Sequence, residues 1–213
     1  MPLIDTKFNL SDGHILIWRL EESIEELQQN LPSWLDYSEY HRISHPLKKR
    51  EWLAGRRLFS AMCQRAGIQF QGIWKNPEGK PFLIGSGAHI SLSHSERFVA
   101  AAIHPYAPLG IDLERPKEQL LRVATKFLSI DECTYAQENL DLLCRFWSAK
   151  EAVFKLFGQK QVSFRHHIRI LPPTPIRARW SAHLNAPQLT GQAWLTFFRL
   201  EDYYLTVAQG IQS

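Results

Sequence analysis

The chain's 213 residues, 45% of them hydrophobic and 12% aromatic, suffice for one large domain or two small ones with a real core. Its 25 basic and 21 acidic residues leave a net charge of +4, which suits an anionic ligand or an acidic partner, while the lack of a long basic run or basic-aromatic patch argues against nucleic acid. Three cysteines, Cys63, Cys133 and Cys144, lack CxxC spacing, and no leader or bilayer-length apolar run is visible, so a reduced, cytoplasmic protein with no membrane partner is expected.

Ile15 to Arg19 reads as a short strand. Ser23 with Glu26 forms a capping box that opens a helix through Leu27, and Leu31-Pro32 closes it. From Leu47 to Arg65 apolar residues recur at helical spacing without a proline, so a longer helix is expected, ended by Gly67. Residues 76–87 are turn-rich. Three apolar runs follow, Ala88 to Leu92, Phe98 to Ile103 and Leu109 to Leu113, joined by connections short enough for an antiparallel meander. Beyond Glu114-Arg115-Pro116 a second capping box, Ser129 with Glu132, precedes a helix from Asp141 to Phe157 that Gly158 terminates. Val162 to Ile170, Gln192 to Arg199 and Tyr203 to Gln209 carry the β-branched and aromatic residues of strands. Helix followed by strands, twice over, reads as an α+β chain of two similar lobes. The spacing of Trp52, Ala54, Arg56 and Phe59 recurs in Trp147, Ala149, Glu151 and Phe154.

Two segments carry chemistry. In Gly110-Ile111-Asp112-Leu113-Glu114 a strand would point both acids to one face and Ile111 and Leu113 to the other. An ordinary half-exposed strand alternates in the same way, but two converging carboxylates repel unless a cation lies between them, and a hard divalent ion is the natural one. In the helix from Asp141 to Phe157, Leu142, Phe146, Ala149, Val153 and Leu156 form a core face. Trp147, Glu151 and Lys155 lie together on the opposite side at i, i+4 and i+8. Glu151 and Lys155 alone would be a solvent-exposed pair; Trp147 calls for a second domain or a ligand to cover it.

Together these segments resemble the signature of the 4'-phosphopantetheinyl transferases, a G-[IV]-D-x-E strand followed by W-x-x-K-E-A-x-x-K. Asn76 to Phe82 is similar to the family's Gly-Lys-Pro turn, and Ile90-Ser91-Leu92-Ser93-His94-Ser95 to its Ser-His-Ser segment; with the helix around Arg50 to Arg56 the likeness spans residues 47–158. The length resembles the longer class typified by the surfactin-synthetase activator. That resemblance implies two pseudo-symmetric α+β lobes, 1–109 and 110–213, each a long helix on a small antiparallel sheet, with the site between them in a monomer. Gln159-Lys160-Gln161 departs from the Gly-Lys-Gly loop of many members.

The activity so implied moves the phosphopantetheine arm of coenzyme A, the co-substrate, onto a serine of an acyl or peptidyl carrier protein with Mg²⁺, releasing 3',5'-ADP. Asp112, Glu114 and Glu151 are then the metal ligands. Glu151 is equally open to taking the serine proton, directly or through water. Lys155 neutralises the pyrophosphate, and Lys150 stays between a structural role and a second phosphate contact. Ser93 and His94, in a tight connection between strands, are assigned to phosphate, and Lys80 and Pro81 to the adenine side. On the basic helix Arg56 lies at the edge of the buried face and is assigned to the 3'-phosphate, with Arg50 second and Arg57 a solvated charge. Two other functions compete: a non-catalytic carrier-binding module, and a magnesium-dependent transferase acting on another nucleotide.

Overall fold

The computed structural model describes residues 3–4 and 12–211, and its contacts fall into two units, Met1–Tyr106 and Ala107–Ser213. Most of the stretch read as free of a leader, residues 1–2 and 5–11, lies outside the described residues.

The first unit runs β1 (Leu3–Ile4), β2 (His14–Arg19), α1 (Ile24–Gln29), α2 (Ser38–Arg42), α3 (Pro46–Arg65), β3 (Ile73–Lys75), β4 (Pro81–Leu83), β5 (His89–Ser95) and β6 (Phe98–His104). β1, β2, β6 and β5 form an antiparallel sheet in that order, and β3 and β4 a separate hairpin. The expected capping box opens α1: Glu26 N donates to Ser23 Oγ at 3.2 Å and Ser23 N to Glu26 Oε2 at 2.8 Å. α3 begins with Pro46 in its first turn, where a missing N–H costs nothing. It buries Trp52, Leu53, Leu58, Phe59 and Met62 in one core with Leu16, Trp18, Val99 and Ala101 of the sheet.

The second unit runs β7 (Leu109–Glu114), α4 (Gln119–Phe127), α5 (Ile130–Ala136), α6 (Leu140–Phe157), α7 (Phe164–His167), β8 (Ile168–Leu171), β9 (Trp180–Ala186), β10 (Leu189–Leu200) and β11 (Tyr203–Gly210). Its sheet is antiparallel with order β7-β11-β10-β9-β8. Ser129 and Glu132 cap α5 reciprocally, and α6 ends at Gly158 in the left-handed region (φ 62) as expected. Both units pack long helices on antiparallel sheets, which makes the fold α+β.

Three expectations change. β5 and β6 form the hairpin, but β7 does not extend it: β7 pairs with β11 instead. The short connection from His104 to Pro108 resembles a hairpin turn, and nothing local reveals a partner strand at the far end of the chain. Val162 to Ile170 is not one strand, because Ser163 accepts from His166 N and caps the short α7 before β8 begins at Ile168. On α6, Leu142 is only partly buried, while Leu143 and Cys144 join the core.

Lys150 is a structural residue, which closes one of the alternatives left by the sequence. It is 0% exposed, and its ammonium donates to Glu132 Oε2 (2.7 Å), Phe164 O (2.8 Å) and Ile168 O (2.6 Å). Glu132 also accepts from Ile170 N at 2.7 Å, so one buried ion pair ties α5, α6, α7 and β8 together. Burial pushes the Lys150 pKa down, and Glu132 opposes that shift. Breaking a buried pair from one side leaves an uncompensated charge. Lys150→Met is therefore expected to cost about 3–5 kcal/mol by urea denaturation. Adding Glu132→Gln should recover part of the loss, and a near-neutral single variant would contradict the structural role.

Candidate active site

The carboxylate strand is positioned by a glycine. A Cβ added to Gly110 would stand 2.0 Å from Ala152 O and 2.4 Å from Leu156 N, so the backbone of α6 lies directly against β7. Asp112 and Glu114 share the face of Gly110, while Ile111 and Leu113, both 0% exposed, take the other. The contact brings Trp147, Glu151 and Lys155, one helical turn apart, alongside the two acids.

The electrostatics follow from that closeness. Lys155 Nζ donates to Asp112 Oδ1 at 2.7 Å, with Asp112 only 4% exposed. Burial raises the Glu114 pKa and Asp112 adds to it; Lys117, a hydrogen bond from the Trp147 indole, and Lys155 pull it back. Glu151 is pushed up to about 7, first by burial and then by Asp112, with Glu114 also raising it and Lys155 opposing. Three acidic groups thus share one field with two ammonium groups, Lys155 on Asp112 at 2.7 Å and Lys117 on Glu114 at 3.8 Å. Hard oxygen donors and excess negative charge suit a small divalent cation. Among the described residues, however, no three His, Cys, Asp or Glu side chains stand arranged to hold a metal ion. With Lys155 serving as counter-charge to Asp112, a cation binding here would have to share or replace that contact.

Trp147 is partly covered from within its own unit. Phe127 of α4 meets it edge-on at 5.1 Å between ring centroids and Phe164 of α7 at 5.7 Å, with its indole committed to Glu114. Beside it a cleft of about 190 Å³ is bounded by Glu114, Lys117, Leu120, Val123 and Trp147.

In the first unit a cleft of about 420 Å³ lies over the first half of α3, and both Arg56 and His94 line it. His94 sits within β5 opposite Val99, rather than in the connection where the sequence put it. Ser93 is buried, with alternation directing its side chain to the other face of the strand, which leaves its backbone for any ligand on the His94 side. Arg56 is 6% exposed, deeper than an edge position implies. Its guanidinium lies 3.8 Å from the Trp52 ring and donates to Glu39 Oε2 at 2.7 Å; Trp52 Nε1 donates to the same oxygen at 2.8 Å, and Lys75 pairs with Glu39 Oε1.

Arg50 is outside that lining and donates to Leu20 O at 2.6 Å, fastening α3 to the end of β2. Arg57 is not a solvated charge: it stacks over Trp18 at 4.4 Å and lies 3.9 Å from Glu22. Lys80 and Pro81 are on the β3–β4 hairpin, with Pro81 opposite Lys75, and burial lowers the Lys80 pKa. Sequence reading missed Glu39, Lys48, Glu51 and Lys75 as members of the cleft. The spacing of Lys48, Trp52 and Arg56 at i, i+4 and i+8 was an available signal. Glu39 gave none, since the five-residue α2 has no side-chain cap.

Two outcomes are expected from this geometry. Gly110→Ala forces α6 off β7 against backbone atoms, so a loss of ~3 kcal/mol or more in urea denaturation is expected; wild-type stability would mean that the helix can shift freely. For Glu151 the folded pKa of about 7 exceeds the ordinary carboxylate value of 4.5, so between those values the native state holds a proton that the unfolded state has lost. Stability in chelator should therefore fall as pH rises through that window. Glu151→Gln should flatten this fall, and an unchanged slope would show that Glu151 is not its source.

Residues 108–208 match the family model of the 4'-phosphopantetheinyl transferase superfamily. The chain is 30% identical over 167 residues to the 4'-phosphopantetheinyl transferase HetI of Nostoc sp., covering 70% of each. It is 32% identical over 90 residues to 4'-phosphopantetheinyl transferase gsp of Aneurinibacillus migulanus and 35% identical over 77 residues to 4'-phosphopantetheinyl transferase Sfp of Bacillus subtilis. Those two matches take in 40% and 34% of this chain, and the chain spans only 37% of gsp and 34% of Sfp. The likeness to HetI is too long to fit within either unit alone, and the family model takes in nearly all of the carboxylate-bearing one. The chain therefore belongs to the 4'-phosphopantetheinyl transferase superfamily and is similar to its Sfp-type members.

Proposed function

We propose that this protein transfers the 4'-phosphopantetheine arm of coenzyme A to a serine hydroxyl of an acyl or peptidyl carrier protein, releasing 3',5'-ADP, with Mg²⁺. The observation that carries the reading is the meeting of Asp112, Glu114, Glu151 and Lys155 at the Gly110 contact, inside the stretch matched by the family model.

The serine oxygen attacks the β-phosphorus while the bond to the ADP oxygen breaks, so the chain must accept a proton and stabilise negative charge on the phosphates. Glu151, beside the two strand acids, would accept the serine proton directly or through water. Asp112, Glu114 and Glu151 would hold Mg²⁺, which when bound supplies positive charge to the phosphate oxygens. Lys155, which keeps 27% of its side-chain surface and is bonded to Asp112, would turn to the pyrophosphate and its leaving oxygen. In the first unit, Arg56 and His94, which line one cleft, would donate to the phosphates of coenzyme A, with Lys80 and Pro81 proposed for its adenine side and Ser93 for a backbone contact. Each unit packs a long helix on an antiparallel sheet, and the chain is proposed to act as a monomer. Among the described residues no helix is long and apolar enough to cross a membrane, which is compatible with work in the cytoplasm on a carrier protein.

The test mixes the purified chain with coenzyme A, Mg²⁺ and several apo carrier proteins and follows intact carrier mass. One carrier should gain a single phosphopantetheine group, and its serine-to-alanine form none. Chelator, Asp112→Ala, Glu114→Ala or Glu151→Gln should each abolish transfer without unfolding the chain. Tight carrier binding with no mass gain would favour a non-catalytic module; failure to bind coenzyme A would point to another nucleotide.

A further inference from the structure

The basic cleft over α3 holds a buried acid that the proposed chemistry does not use. The side chain of Glu51 is 5% exposed, and its Oε2 lies 2.8 Å from Lys48 Nζ and 3.3 Å from His94 Nδ1. Lys48 Nζ, which can only donate, is hydrogen-bonded to that ring nitrogen at 3.4 Å, so Nδ1 is its acceptor while the ring is neutral. The two cations keep about half of their side-chain surface, 51% for Lys48 and 43% for His94. An acid on the floor thus faces two basic groups nearer the surface.

The arrangement decides what the imidazole can do. An ammonium 3.4 Å away opposes a positive charge on the ring, and the other cations lining the cleft, Arg42, Arg56 and Lys75, are no help to it. Glu39, the other acid of the cleft, is engaged by Arg56, Trp52 and Lys75. Glu51 is the carboxylate in contact with the ring, through Nδ1. Glu51 Oε2 is buried with no hydrogen-bond partner and lies 3.3 Å from Nδ1, so a proton on Nδ1 would supply that oxygen with a donor and leave Nε2–H to face a phosphate oxygen.

We propose that Glu51 is a positioning residue for the reaction: its carboxylate orients His94 through Nδ1 and balances its charge, so that Nε2 presents a proton to a phosphate of coenzyme A. This rests on the reading that His94 binds phosphate, and it adds a residue that touches no substrate.

Calorimetry with coenzyme A on the full chain, together with ¹⁵N spectra of the His94 ring, separates the two claims. His94→Ala is expected to weaken coenzyme A about tenfold or more, as loss of a hydrogen bond to a charged group does. Glu51→Gln should weaken it about tenfold, and the double variant should be no worse than His94→Ala alone, because both act through one ring. In the complex the ring should be an imidazolium in the wild type and neutral in Glu51→Gln. Glu51→Asp keeps the charge and should keep the ring charged, which separates positioning from a packing role on α3. If His94→Ala loses affinity while Glu51→Gln binds as the wild type does, the inference falls and the phosphate reading stands. If His94→Ala binds coenzyme A normally, both fall. A neutral ring in the wild-type complex overturns the inference without any variant.

Discussion

The contact on which the second unit's chemistry depends contains no charged group. At Gly110 the backbone of α6 lies so close to β7 that a methyl group would overlap Ala152 O. Any side chain there would lever the helix away from the strand, and with it Glu151 and Lys155 from Asp112 and Glu114. The burial and mutual repulsion that raise the Glu151 pKa both come from this approach, because like charges at such range would separate if packing let them. The glycine is required by space here, since its φ is not in the left-handed region, unlike Gly158 at the end of the same helix.

The two lysines of α6 show how burial divides one motif into fold and chemistry. Lys150 is fully buried, with three oxygens taking its three protons, so moving it would cost both an ion pair and two carbonyl bonds. Lys155 keeps 27% of its side-chain surface and leans on a carboxylate that is itself part of the anionic cluster. Its charge can be redistributed when another cation or a phosphate arrives, at much smaller cost. Helical spacing places the two about 140° apart on the helix, which shows that they face differently; it does not show which side is covered.

That limit governs what could be read before the structure. Elements with local signals were legible: the Ser23 and Ser129 capping boxes, the stop at Gly158, the long α3 and the alternation of β7. The pairing of β7 with β11 and the cover that α4 and α7 place over Trp147 depend on residues far away in sequence, so neither leaves a periodic trace. The same holds for the cleft of the first unit. Arg56 and His94 could be singled out by motif, but Glu39 reaches Arg56 from a five-residue helix, and Arg57 looked solvated because a helical wheel contains no Trp18 to stack on.

Acids on the floor of a basic cleft look wasteful, since each lowers the attraction that the site can exert on an anion. The opposite effect is orientation. Arg56, held by stacking on Trp52 and by Glu39, has already lost the rotamer freedom that an unheld arginine would lose on binding. Lys48 and His94 both lie within ion-pair distance of Glu51 and are hydrogen-bonded to each other, so the acid holds them close in the same way. Affinity for charge alone would favour a cleft without acids, and that cleft would take any anion with little regard for shape. Fixing the donors before a ligand arrives exchanges some attraction for geometry, which on the proposed reading suits a phosphate held still while its neighbour reacts.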